Sequence, residues 1–372
     1  MTKLCDICDF QGGSQPPKEE WSFEEKEGYV RMLQIRDFTQ SEKVTPEYIK
    51  VSSSTKMCKE DDILIARYGA SIGKILTGLA GAYNVAIMKT IPDTSKIEKR
   101  YLYYYLKSSY FQNSILNVGS RAAQAGFNKE DLSKLEINCP KIEVQLQIVS
   151  VLDKVGAIIN KRKKELEELD NLIKSRFVEM FGDPSSNAKG YPEKLLPEIA
   201  EYWNGLTYKP EDVSDEGTIV LRSSNIQNAA LDFVDTVRVV CNIGEKKYVQ
   251  DNDILMCSRN GSARLVGKVA LIKNIEEPMS FGAFMMIIRS IYYPYLMTYF
   301  QLPAFRAQIT TGATTTINQI TGRMLDVVKL PVPDLDTVNE FADFVKKVDK
   351  MKFWNTKNNS YTIYKGVNGV GN

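Results

Sequence analysis

The sequence contains no histidine, which removes the commonest general base and the commonest transition-metal ligand from the chemistry open to it. Histidine-based catalytic triads and mixed Cys/His zinc sites are excluded. It has no run of about 18 apolar residues that could cross a bilayer, so no membrane partner is expected. Its first residues, Met1-Thr2-Lys3-Leu4-Cys5-Asp6, lack a basic stretch followed by an apolar core; no secretory signal is expected, and the expected location is cytoplasmic. Cysteine is scarce, with six at positions 5, 8, 58, 139, 241 and 257. They are too scattered for a disulfide framework and are expected as reduced thiols. Charge of one sign is not in excess either: the formal net charge is +2, so a nucleic-acid-binding surface would have to be a local patch. What is present, 43% hydrophobic and 25% charged residues over 372 positions, is enough for two domains with cores of their own.

The clearest single element runs from about Val144 to Phe181. Apolar residues fall at Ile148, Leu152, Val155, Ile159, Leu166, Leu169 and Ile173, in steps of four and three broken only at Arg162, while Lys161, Lys163, Lys164, Glu165, Glu167 and Glu168 occupy the other faces. This is the heptad pattern of a helix packed along a partner helix. Gly182-Asp183-Pro184 terminates it, because glycine suits the C-terminal cap and proline cannot continue the helix. At about 1.5 Å per residue it makes a rod of about 57 Å. A shorter heptad stretch with Phe341, Val345 and Val348 predicts a second helix over residues 336–354. The Gly/Asn-rich residues 355–372 carry too few apolar groups to offset the entropy of ordering and are expected to be disordered.

The decisive feature is a long internal repeat. Asp62-Ile63-Leu64 recurs as Asp253-Ile254-Leu255, an offset of 253 − 62 = 191, and Gly73-Lys74 recurs as Gly267-Lys268 at 194. Tyr101-Leu102 with Tyr105 answers Tyr295-Leu296 with Tyr299 at 194, and Gly119, Leu132, Ile137 and Pro140 answer Gly312, Leu325, Leu330 and Pro333 at 193. The order is preserved, and each copy leads into a heptad segment. The plan is therefore domain (residues 1–141), helix (142–184), domain (185–335), helix (336–354) and tail. Within each domain, short apolar runs such as Asp62 to Arg67, Ala82 to Met88 and Phe284 to Ile288 predict buried strands, and Tyr101 to Asn113 and Tyr295 to Gln308 predict amphipathic helices. The fold class is α+β.

Catalytic motifs are incomplete. Cys5-Asp6-Ile7-Cys8 is a lone C-x-x-C without a second pair, so no metal site is expected. Gly69-Ala70-Ser71-Ile72-Gly73-Lys74 resembles a phosphate loop but has three residues between its glycines and Ile75 after its lysine, where four residues and a hydroxyl are needed. Its counterpart, Gly261 to Lys268, has five and ends in Val269. Two turns with different spacings argue against an NTPase. No dinucleotide fingerprint follows a strand, and no Asn/Asp-Pro-Pro-aromatic run of the amino-methyltransferase kind is present. A non-catalytic chain without its own cofactor is expected.

What remains is recognition. Around the two Gly-Lys turns lie Arg67, Tyr68, Ser71 and Lys74 in the first copy and Arg259, Asn260, Ser262, Arg264 and Lys268 in the second, and Arg222 is a further DNA-binding candidate. A second loop carries Arg121, Gln124 and Asn128 in one copy and Thr314, Thr315, Thr316, Asn318 and Gln319 in the other. These are side chains suited to phosphates and base edges. One scaffold bearing different polar loops is what two readers of two DNA half-sites require. The competing reading, a coiled-coil protein-interaction adaptor without a DNA role, leaves that divergence without a purpose.

Two stretches bear a family resemblance. Pro140-Lys141-Ile142-Glu143-Val144-Gln145-Leu146-Gln147-Ile148-Val149 leading into Leu152-Asp153-Lys154 is similar to the start of the central conserved region of type I restriction-modification specificity subunits. Leu166-Glu167-Glu168-Leu169-Asp170-Asn171-Leu172-Ile173-Lys174-Ser175-Arg176-Phe177-Val178-Glu179-Met180-Phe181-Gly182-Asp183-Pro184 resembles its end. The resemblance implies two target-recognition domains, each reading half of a split sequence in double-stranded DNA, with the two helices packed as an antiparallel coiled coil that sets the gap. It also implies two modification subunits that carry S-adenosylmethionine and, in the full complex, restriction subunits that use ATP and Mg²⁺. The second helix departs from the family pattern after Lys352, where neither heptads nor a second Ser-Arg-Phe to Gly-Asp-Pro ending follows.

Overall fold

The computed structural model describes residues 1–40, 43–119, 126–310 and 318–368, with side chains described as far as Lys352 apart from residues 118 and 119. The chain divides into two compact units, Met1–Ile158 and Ile159–Asn372.

The first unit is built on strands β1 (Thr2–Lys3), β2 (Cys8–Gly12), β3 (Tyr29–Leu33), β4 (Leu64–Ala66), β5 (Ile75–Leu76), β6 (Gly81–Tyr83) and β7 (Ile87–Pro92). A four-stranded antiparallel sheet has the order β2-β7-β4-β5. All three residues of the inner strand β4 are buried, which is why the run reads as continuously apolar and does not alternate. Strands β3 and β6 pair in parallel, with Leu33 opposite Tyr83. Helices α1 (Lys99–Lys107), α2 (Ser109–Gly119) and α3 (Lys129–Ser133) follow, then β8 (Glu136–Ile137), which pairs back onto β1. The α1 face at i, i+4 is Leu102 and Leu106, both fully buried in a core with Phe10, Ile65, Phe111 and Ile115. Each such side chain contributes about 1.5–3 kcal/mol through the apolar area it removes from water.

The second unit repeats this plan. Strands β9 (Glu193–Leu195), β10 (Glu201–Asn204), β11 (Thr218–Leu221), β12 (Ile254–Cys257), β13 (Val269–Leu271), β14 (Met279–Phe281) and β15 (Met285–Arg289) give a sheet ordered β10-β15-β12-β13. The parallel pair recurs as β11 and β14, with Leu221 opposite Phe281. Helices α5 (Tyr293–Tyr299), α6 (Pro303–Thr310) and α7 (Gly322–Asp326) lead to β16 (Lys329–Pro331), which pairs with β9. The repeat extends to close backbone approaches. A Cβ on Gly13 would lie 2.1 Å from the carbonyl oxygen of Asn84, and one on Gly205 would lie 2.1 Å from that of Phe281.

Helix α4 (Ile142–Phe181) is a single 40-residue helix. Its predicted packing residues Ile148, Leu152, Val155, Ile159, Leu166, Leu169 and Ile173 are all half-buried. Its most deeply buried apolar side chains, Phe177 and Phe181, lie one and two steps beyond the predicted row. They meet Tyr295 and Phe341, with Phe177 and Tyr295 ring centroids 5.0 Å apart and Phe181 and Phe341 centroids 5.3 Å apart. Helix α8 (Leu335–Asn368) runs antiparallel to this end of α4: Arg176 pairs with Glu340 at 3.1 Å and Asp170 with Lys352 at 2.6 Å. Phe341 and Val348 are buried and Val345 is half-buried.

The heptad pattern predicts a second helix ending at residue 354 and a disordered 355–372; helix α8 continues to Asn368. No proline follows Pro333, and once a helix is nucleated each added residue gains a hydrogen bond without repeating the nucleation cost. Residues 369–372 lie outside the described residues. Among the described residues no helix is long and apolar enough to cross a membrane.

Candidate nucleic-acid interface

In the second unit the end of β12, the loop after β11 and the turn between β14 and β15 enclose a cleft of about 910 Å³. It brings together four of the predicted residues, Arg222, Arg259, Asn260 and Asn318, and adds Thr207, Tyr208, Ser223 and Ser224. The added residues carried no periodic or motif signal. Thr207 and Tyr208 reach the cleft where Gly205 lets the chain after β10 pass close to the backbone of Phe281 and Gly282, and Ser223 and Ser224 follow Arg222 in the loop after β11.

The wall is tied internally. Asn225, 1% exposed, accepts from the Arg222 backbone N–H at 2.8 Å and donates to the carbonyls of Asp232 and Asp235 at 2.9 and 2.8 Å. Arg222 donates from Nη2 to Asp235 at 2.8 Å, and its buried Nε has no hydrogen-bond partner among the described residues. Asn260 donates to Ser223 Oγ at 3.1 Å, which joins the strand end to the loop after β11. Arg259 forms an isolated antiparallel bridge to Gln319 and places its guanidinium 5.4 Å from the ring of Phe284.

The first unit has the same backbone frame with other side chains. Gln34 follows Leu33 as Arg222 follows Leu221, and its backbone N–H donates to Asp37 at 2.8 Å. Gln34 Nε2 donates to Glu47, where Arg222 meets Asp235. Tyr68 bridges Gly126 as Arg259 bridges Gln319. Arg67 donates from Nε to Phe127 O and from Nη1 to Val85 O, each at 3.3 Å, and stacks on Tyr68 at 5.0 Å. Ser71 lies in the one-turn helix Gly69–Ser71. The exposed Lys74 lines a smaller notch of about 400 Å³ with Lys107 and Gln112, apart from Tyr68.

Several predicted contacts have structural roles. The Asn128 side chain caps α3, accepting from Asp131 N at 3.1 Å while Asp131 accepts from Asn128 N. Lys268 donates to Ile226 O at 2.8 Å across the second domain. Asn-x-x-Asp is a capping-box pattern and was readable as such; nothing local distinguishes Lys268 from Lys74. Ser262 and Arg264 are exposed on the turn after Asn260 and do not line the cleft. Arg121, Gln124, Thr314, Thr315 and Thr316 lie outside the described residues. The Cys5/Cys8 pair offers poor ligands: burial pushes the Cys8 thiol up to about 12, and burial also raises Cys5, so the thiolate that binds metals is disfavoured. Among the described residues no group of three or more His, Cys, Asp or Glu could hold a metal ion.

The comparisons agree with this duplicated architecture. The sequence model of the type I restriction modification DNA specificity domain matches residues 1–168 and again residues 189–362. The chain is 22% identical over 355 residues to the specificity subunit of the MjaVIII type I restriction enzyme of Methanocaldococcus jannaschii, covering 88% of this chain and 81% of that one. It is 24% identical over 273 residues to the EcoKI specificity subunit of Escherichia coli, covering 68% of this chain and 58% of that one. In fold it is similar to a chain from a structural study of complex assembly and conformational transition of the type I R-M system, with a TM-score of 0.52, 14% identity and coverage of 98% of this chain and 94% of that one. With the domain model matched twice, in the two halves that the offsets and sheet orders had already separated, the chain belongs to the type I restriction-modification DNA specificity family.

Proposed function

We propose that this chain is the sequence-reading, non-catalytic subunit of a type I modification and restriction enzyme. Residues 1–141 and 185–335 each read one half of a bipartite target in double-stranded DNA, and helices α4 and α8 set the spacing between the halves. Two modification subunits bring S-adenosylmethionine to the site so chosen, and restriction subunits add ATP- and Mg²⁺-dependent cleavage in the full complex. The chain itself binds no cofactor and works in the cytoplasm.

The observation that carries this reading is the pairing of identical frames with unlike readers: Gln34 against Arg222 and Tyr68 against Arg259, each pair at equivalent backbone positions. Sequence is read by particular donors and acceptors at base edges, whereas phosphate contacts only position the protein. A scaffold that keeps its backbone contacts and changes the side chains it carries there suits two half-sites of different sequence.

The test is single-molecule methylome sequencing of a host expressing the chain with its modification subunits, against the same host without the chain. A methylated bipartite motif that depends on the chain is expected. Replacing residues 190–335 with the corresponding domain of a relative should change one half of it alone. A purified, intact complex that methylates no bipartite motif would refute the proposal.

A further inference from the structure

Tyr68 and Arg259 occupy one place in two copies of a scaffold. Each follows a buried central strand and is bridged to the second loop, Tyr68 to Gly126 and Arg259 to Gln319. A side chain there rides on backbone held from two directions, which keeps its aim fixed. At both places an arginine lies over an aromatic ring, Arg67 over Tyr68 at 5.0 Å and Arg259 over Phe284 at 5.4 Å.

The two members exchange roles. In the first domain the arginine is engaged, donating to the carbonyls of Phe127 and Val85, and the exposed partner is the ring of Tyr68. In the second domain Arg259 is exposed, and no acceptor among the described residues takes a hydrogen bond from its guanidinium. Its guanidinium carbon lies over the Phe284 ring, a contact that engages the π-face and needs none of its N–H donors. Arg259 also lines the cleft beside Asn260 and Asn318. A planar fork with two parallel donors, free of hydrogen-bond partners among the described residues, matches the O6 and N7 acceptors of guanine in the major groove; an ammonium has no such geometry.

Resting on the reading of the chain as a DNA-sequence reader, we propose that Arg259 specifies a G·C pair in the half-site read by residues 185–335. At the equivalent position of the first domain, Tyr68 presents an apolar ring and one hydroxyl, so the two halves of the target differ there.

The test uses the full chain in complex with its modification subunits, as wild type, Arg259→Ala and Arg259→Lys, with each methylated motif determined by sequencing and the halves assigned by the replacement of residues 190–335. The wild type should require a G·C pair in the second domain's half. Arg259→Ala should admit other pairs at that position, discrimination falling roughly 5- to 100-fold, with the other half still strict. Arg259→Lys should relax the same position while total methylation falls less. A motif that stays strict in both variants, at uniformly lower methylation, would make Arg259 a phosphate contact and overturn the assignment. Relaxation in the first domain's half would overturn it equally. If the alanine variant does not assemble, the lysine variant decides. A wild-type complex with no bipartite motif refutes the underlying function and is distinct from these results.

Discussion

Gln145 and Val338 stand at the same point of the two helices that leave the two domains, 193 positions apart, and both are 0% exposed. Gln145 is secured by hydrogen bonds: its Oε1 accepts from Glu98 N at 2.8 Å, and its Nε2 donates to Pro140 O at 2.7 Å and Lys96 O at 3.0 Å. Nearby, Tyr104 donates to Asp153 at 2.5 Å and Arg100 pairs with the same carboxylate. Val338 is held by packing, in a core that also contains Phe177, Phe181, Tyr295 and Phe341. One turn on, Ile148 is half-buried where Phe341 is fully buried. A duplicated frame thus tolerates opposite chemistry at its helix junctions. Hydrogen bonds anchor the first turns of α4 in the first unit, and aromatic packing seats its last turns in the second.

The sharpest way to break this comparison is to remove apolar volume at both junctions. Phe177→Ala should cost about 3–5 kcal/mol, the usual penalty for emptying a buried aromatic site, and Ile148→Ala distinctly less because its site is already half open. Urea unfolding of the full chain measures both; equal costs would mean that the two junctions are not chemically distinct. Next in size, Gln145→Val makes the first junction resemble the second. It strands the Glu98 N–H and two carbonyls, for an expected loss of about 1–3 kcal/mol, and a neutral outcome would show that the polar anchor is dispensable.

The smallest effect concerns pH. Asp62 and Asp253 are repeat equivalents, but Asp253 holds Arg289 through two 2.7 Å bonds while Asp62 meets Lys89 at 2.6 Å and Lys99 at 3.4 Å. Burial pushes Asp62 up, yet the Lys59 backbone N–H and the two ammonium groups outweigh it, so its carboxyl sits below the ordinary value. A carboxylate depressed in the folded state adds stability that is present above about pH 3.9 and is lost as pH falls through the lower folded value. Asp62→Asn should therefore flatten part of the acid-unfolding curve, followed by circular dichroism. An unchanged curve would remove Asp62 from the account.

Much of the fold was legible because its signals are local or repeat at a fixed offset: the buried strands Leu64–Ala66 and Met285–Arg289, the long helix, and the 191 to 194 register. The two-residue strands at Thr2–Lys3 and Glu136–Ile137 were not, since so short a segment has no period and its partner lies at the far end of the domain. The site was half legible. Arg222, Arg259, Asn260 and Asn318 do line one cleft, and Tyr68 and Arg259, 259 − 68 = 191 positions apart, are unlike residues whose backbone bridges to a second loop the sequence does not show. Asn128 and Lys268 also serve the fold, as a helix cap and a bond within the second domain, because those tasks use the same polar side chains as DNA contact.

The pairing of Thr2 with Ile137, and of Lys194 with Leu330, has a consequence for synthesis. Each domain joins its first strand to its last, so a nascent chain cannot complete either until the ribosome has delivered nearly the whole of it. Pairings of such high sequence separation form slowly. The first domain can close only as α4 begins to emerge, and while α4 is being made that domain has time to finish before the second, similarly ordered set of strands appears and could compete for the same partners.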